Sequence, residues 1–153
     1  MEELILFFMG FVLVLLVFGL LFYIVNALVY VKLSKKCDEP NYWLAWVPFG
    51  VYYLSTRVGR LDIKIFIASL ITSIIFIFSE GLISLIFGLV LIGLIIYMDR
   101  YILDRFGKNK NLAYFHLIPV LGNFIVFIMI AVIAFGDSQP VNGAENLYES
   151  NVF

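Results

Sequence analysis

The chain has 153 residues, of which 63% are apolar and 14% charged, with a mean hydropathy of +1.05. A soluble domain runs at about 45–50% apolar and about 25% charged, so this composition excludes a chain that covers its own surface in water and makes lipid part of its solvent. Ten Lys and Arg against 11 Asp and Glu leave no basic excess for nucleic acid, and one cysteine excludes an internal disulfide or a cysteine-based zinc site.

The first uncharged run is Leu4 to Val31. A helix rising ~1.5 Å per residue needs about 20 residues to cross a ~30 Å hydrocarbon core, so this run spans with residues to spare. Glu2 and Glu3 precede it in place of bases and no small-residue cleavage site follows, which argues against a signal peptide. The next apolar stretch, Ile65 to Met98, is broken only at Ser79-Glu80-Gly81. It reads as a hairpin of two spans, 65–79 and 82–98, with Glu80 at the tip and Gly81 free to take a positive φ. The last run, 112–135, contains His116, Pro119 and Asn123, and residues 137–153 read as a polar, flexible tail.

The expected fold is therefore an all-α integral membrane protein of four transmembrane helices in a single transmembrane domain, residues 1–136. All ten bases fall between spans one and two or between spans three and four. By the positive-inside rule this predicts a multi-pass protein of the cell (cytoplasmic or inner) membrane, with both termini outside and the basic loops cytoplasmic.

Asn41 to Leu54 does not fit that scheme. It holds both tryptophans and four more aromatics, among them Tyr42, Trp43, Trp46, Tyr52 and Tyr53, with Pro48-Phe49-Gly50 at its centre. It is too short to span and carries no polar face. Two readings fit: an interfacial aromatic belt at headgroup depth, or a re-entrant hairpin with its tip at Pro48–Gly50.

Placing Pro48 over Pro119 without gaps also pairs Tyr30 with Tyr101, Val31 with Ile102, Trp43 with Tyr114 and Val47 with Ile118. This internal echo suggests a duplication, a common origin of membrane folds. Trp46-Val47-Pro48, Tyr52-Tyr53 and Phe106-Gly107-Lys108 also resemble the pattern of an uncharacterised family of small multi-pass bacterial membrane proteins, over roughly Lys35 to Asn123. Gly50 departs from the asparagine usually found just after the first proline. The resemblance implies a membrane fold and brings no activity with it.

His116, Pro119 and Asn123 share one helical face and are the candidate cavity lining, together with Pro48 and Gly50. The competing reading is a histidine at headgroup level and an asparagine bonded to a neighbouring helix. Ser69-x-x-x-Ser73 and Ser84-x-x-x-Gly88 are small-x-x-x-small patterns that allow helices to approach closely. Asp99, Arg100, Asp104 and Arg105 read as a solvated juxtamembrane turn with an Arg100–Asp104 surface pair, and Cys37 as a plain thiol or an acylation site beside the bilayer.

No nucleophile–base constellation, phosphate-cradling loop or metal-ligand spacing is legible, so catalytic, cofactor and metal residues are all read as none. The expected function is non-catalytic association in the bilayer, with the lipid, a second copy or another membrane protein as partner. A small channel, pore or transporter lined by the Pro48 element and the His116–Asn123 face is the alternative. A lipid-directed enzyme using Asp99, Asp104 or His116 ranks last.

Overall fold

The computed structural model describes residues 1–118 and 121–141. Among them the fold is all-α: five α-helices, α1 (Glu2–Lys36), α2 (Gly50–Val58), α3 (Ile63–Phe78), α4 (Gly81–Arg105) and α5 (Leu121–Phe135), and two 3₁₀-helices, η1 (Tyr42–Trp46) and η2 (Lys110–Leu117).

α1 is about 50 Å long at ~1.5 Å per residue. Every residue from Glu3 to Tyr23 is exposed, and only its last third, with Ala27, Val29, Tyr30 and Leu33, enters a protein core. Lys35 and Lys36 close it, where positive charge complements the carbonyl end of a helix. Asp38 then takes a left-handed φ of 56° and turns the chain back. η1 returns alongside α1, and the Tyr23 hydroxyl donates to the Trp46 carbonyl at 2.6 Å. Tyr23 lies about 20 Å up α1 from Lys36, so η1 climbs well away from the basic end. Phe49, φ 62°, reverses the chain again, and α2 descends until Arg57 Nε meets Glu39 Oε2 at 3.1 Å.

Asp62 caps α3 by accepting from the Lys64 amide at 2.9 Å. α3 runs outward, Gly81 turns it with a φ of 60°, and α4 packs back along it to the basic end. η2 and α5 then repeat the path of η1 and α2. The chain returns far enough for the Val141 amide to donate to the Arg105 carbonyl at 2.8 Å.

α1–η1–α2 and α4–η2–α5 thus form two similar units joined by α3. In each, a glycine in the first turn of the short returning helix lies against a backbone carbonyl. A Cβ on Gly50 would lie 1.8 Å from the Leu44 oxygen, and one on Gly122 would lie 1.6 Å from the Phe115 oxygen. Leu44 and Phe115 are 71 positions apart, the offset that aligns Pro48 with Pro119. The units also exchange caps. Lys36 Nζ, from the end of α1, donates to the carbonyls of Ile133 (2.7 Å), Ser138 (3.0 Å) and Gly136 beyond α5. Arg105 Nη1, from the end of α4, donates to the Val58 carbonyl at the end of α2 at 2.5 Å. The core lies between the units at this end, around Leu33, Leu54, Val58, Ile102, Leu103, Val126 and Ile133.

This architecture corrects the expected one. Among the described residues two helices, not four, are long and apolar enough to cross a bilayer, Glu3–Lys36 and Gly81–Arg105; 63–78 and 121–135 are shorter apolar helices. The expected spans 65–79 and 112–135 fail because hydropathy counts apolar letters without seeing where a helix stops. Residues 112–117 belong to a 3₁₀-helix, and α5 begins only at Leu121. Nor is there a re-entrant element at 41–54: the stretch is η1 and the first half of α2, packed against α1 and against each other. The multi-pass topology with both termini outside goes too. It puts residues 36 and 136 on opposite faces, whereas Lys36 holds the Gly136 carbonyl.

Candidate functional site

Where the two units meet, α1, α2, α4, η2 and α5 enclose a cavity of about 560 Å³. α1 brings Phe22, Asn26 and Tyr30, successive turns of one face; α2 brings Val51, Tyr52 and Ser55. α4 contributes Ile92, Ile95, Met98 and Asp99, and α5 contributes Asn123, Phe124, Phe127 and Ile130, with His116 reaching in from η2. Most of the wall is hydrocarbon and aromatic, with a few converging polar groups, which is the usual make-up of a small-molecule site.

His116 organises the polar part. Its Nε2 lies 2.7 Å from Asp99 Oδ2 and its Nδ1 lies 2.6 Å from Asn123 Oδ1. The Asp99 and His116 side chains are 7% and 10% exposed, so the pair is shielded from water. An oxygen faces each ring nitrogen, the arrangement that the imidazolium form, with a donor on both nitrogens, satisfies. Burial pulls the His116 pKa down, but the hydrogen bonds to Asp99 and Asn123 and the carboxylate charge outweigh it and leave it above the ordinary imidazole value. With one proton shared between His116 Nε2 and Asp99 Oδ2, the buried pair carries no net charge.

Of the residues singled out in the sequence, His116 and Asn123 do meet, but across η2 and α5 and not along one helical face. Pro119 lies outside the described residues. Pro48 and Gly50 do not line the cavity: Pro48 is exposed, and Gly50 is spent on the close approach to Leu44. The proposed channel path through the Pro48 element and the His116 face is therefore not formed, and the channel or pore assignment falls with it.

Ser69 and Ser73 are buried, and their hydroxyls donate to carbonyls of their own helix, Ile65 at 2.9 Å and Ser69 at 2.7 Å. Gly88 faces Phe76 of α3, whose ring would lie 3.1 Å from an added Cβ, and Ser84 donates to the Phe76 carbonyl at 3.5 Å. The small residues of α4 thus serve the α3–α4 contact. Tyr42, Trp43 and Trp46 are exposed, with Lys35 Nζ 4.5 Å from the centre of the Tyr42 ring. Tyr53 packs edge-on against Phe66, and Tyr52 turns into the cavity. Cys37 is half-buried, and burial raises its thiol pKa, which disfavours the reactive thiolate.

Asp99 is the residue that sequence reasoning misplaced. The acidic and basic run after Met98 read as solvated, yet Asp99 is buried and Arg100 turns away to the Tyr114 hydroxyl at 2.7 Å. The signal was present: Ile92, Ile95, Ile96, Asp99, Ile102 and Leu103 recur at helical spacing, so the acid sits in an apolar stripe. Among the described residues no group of three or more His, Cys, Asp or Glu could hold a metal ion. No protein-family model, curated protein or solved structure matches the chain.

Proposed function

We propose that this protein works in a lipid bilayer, anchored by α1 and α4, and acts there by non-covalent association, with the cavity between its two units as the working site. The observation that carries the reading is the outer part of α1. From Leu4 to Leu21 it is apolar and exposed at every residue, with no polar face to turn toward water. A helix that is hydrophobic all round needs protein or lipid on all sides, and the described residues of this chain bury none of that stretch. Lipid covers it, as does a second copy or another membrane protein where they meet. Association is favoured over chemistry because both ring nitrogens of His116 are engaged, leaving neither free to take a proton from a bound molecule.

The test is extraction of membranes from cells expressing the full chain, washed with alkaline carbonate and then with urea. The chain should stay in the pellet and enter solution only with detergent. Release into the carbonate supernatant as a monodisperse helical bundle would overturn the reading.

A further inference from the structure

We propose that the cavity between the two units binds an uncharged single-chain amphiphile whose head carries hydroxyl groups, of the monoacylglycerol or long-chain alcohol type. This deepens the function proposed above and rests on the chain lying in lipid. The mouth of the cavity is apolar: Phe22, Ile92 and Phe124 are 48%, 40% and 52% exposed while lining it. A molecule dissolved in lipid therefore enters sideways, chain against these side chains, without crossing water. About 560 Å³ is in the range of sites that hold small organic molecules (about 300–1,000 Å³), and a chain too long for it extends through the mouth.

The polar groups choose the head. Asp99 and His116 neutralise each other at 2.7 Å, and the basic side chains nearest in sequence point elsewhere: Arg100 to Tyr114 and Arg105 to the Val58 carbonyl. An anionic head would meet the Asp99 carboxylate without a spare cation, and a cationic head would meet the His116 imidazolium. Each loses solvation without compensation. Asn26, Tyr30 and Ser55 remain to bind the head. Tyr30 and Ser55 bring two hydroxyls, each able to donate once and to accept. Asn26 adds an amide with both roles. A head that both donates and accepts satisfies this set. A carboxylate, which only accepts, or an ammonium, which only donates, does not.

Full-length protein in lipid nanodiscs is photolabelled with a monoacylglycerol carrying a diazirine in its acyl chain. Label should map to the cavity segments of α1 and α5. Excess monoacylglycerol should compete at least tenfold better than the matching fatty acid or long-chain amine at neutral pH. Ile92→Trp, which fills the exposed mouth without touching the polar groups, should cut labelling at least tenfold, as should Tyr30→Phe combined with Ser55→Ala. Label spread along Leu4–Phe22 and unchanged in Ile92→Trp would overturn the site. Equal competition by the charged amphiphiles would overturn the head class. Either failure in protein that still resists carbonate leaves the bilayer reading standing, so the two claims fail separately.

Discussion

The Lys36 ammonium lies 2.7 Å from the Ile133 carbonyl oxygen, tying the end of α1 to the end of α5 across 97 residues of sequence. The same Nζ reaches the Gly136 and Ser138 carbonyls, so one charge satisfies acceptors that the last turn of α5 leaves open. Hydrogen bonds to a charged group contribute about 1.5–3 kcal/mol. Lys36→Met keeps the length of the side chain and removes the donors. We expect a loss of about 2 kcal/mol in unfolding free energy in mild detergent, with faster amide exchange confined first to Ile133–Ser138. Unchanged exchange there would show that the clasp contributes nothing.

A second prediction concerns pH. His116 faces Asp99 from α4 and Asn123 from α5, while Tyr30 from α1 and Tyr52 from α2 line the same cavity. Burial lowers its pKa, and the two hydrogen bonds and the Asp99 charge raise it by more. A group whose pKa rises on folding stabilises the fold fully below its unfolded value, about 6.5 for imidazole, and loses that contribution as pH climbs through the native value. Melting temperature should therefore fall as pH is raised from about 6.5 through the alkaline side, and a His116→Asn variant should flatten that slope. The chain has one histidine, so its imidazole proton resonances report the titration without assignment ambiguity. A native midpoint below about 6.5 would reverse the sign and refute the pairing.

Asp99 and His116 should also fail as a unit. Removing one partner of a buried pair typically costs about 3–5 kcal/mol because the other charge is left unpaired, whereas apolar replacement of both is often near neutral. Asp99→Leu and His116→Leu should each destabilise strongly, and the double variant should be more stable than His116→Leu alone. Simple additivity in a double-mutant cycle would mean the two side chains do not act together.

Much of this was legible in the letters and some was not. The turn at Glu80–Gly81 is announced by the only charged residue in a long apolar stretch, and the Pro48/Pro119 offset pointed to the recurring α–η–α order. His116 and Asn123 were found because polar residues stand out in an apolar run. The span count failed at α5 because Leu112–Phe135 carries no Lys, Arg, Asp or Glu but is split between a 3₁₀-helix and a short α-helix. The topology failed with it. A lysine near the end of α1 looks like a topological marker to a charge count, and only the three-dimensional fold shows that Lys36 spends its charge on the end of α5. Asp99 was missed because its neighbours Arg100, Asp104 and Arg105 make the whole turn look solvated, although its own helical register is apolar.

The two glycines in the first turns of the returning helices supply the last prediction. At Gly50 and Gly122 an added Cβ would fall 1.8 Å and 1.6 Å from backbone oxygens, and a carbonyl held by its own helix cannot swing aside as a side-chain tip does. Gly50→Ala and Gly122→Ala must therefore shift η1 against α2 and η2 against α5. Overpacking of this kind costs about 1–3 kcal/mol or more. Because Gly122 borders Asn123, its variant should also disturb the His116 titration, whereas Gly50→Ala should leave the titration unchanged while lowering stability. Gly10, Gly19 and Gly93 meet nothing within 4 Å. Alanine at these helical positions should be neutral or stabilising by up to about 1 kcal/mol through helix propensity. Unfolding measured in the same detergent for all five single variants decides the matter. Equal effects at the pressed and open glycines would mean that the matching close approaches do not hold the two units in shape.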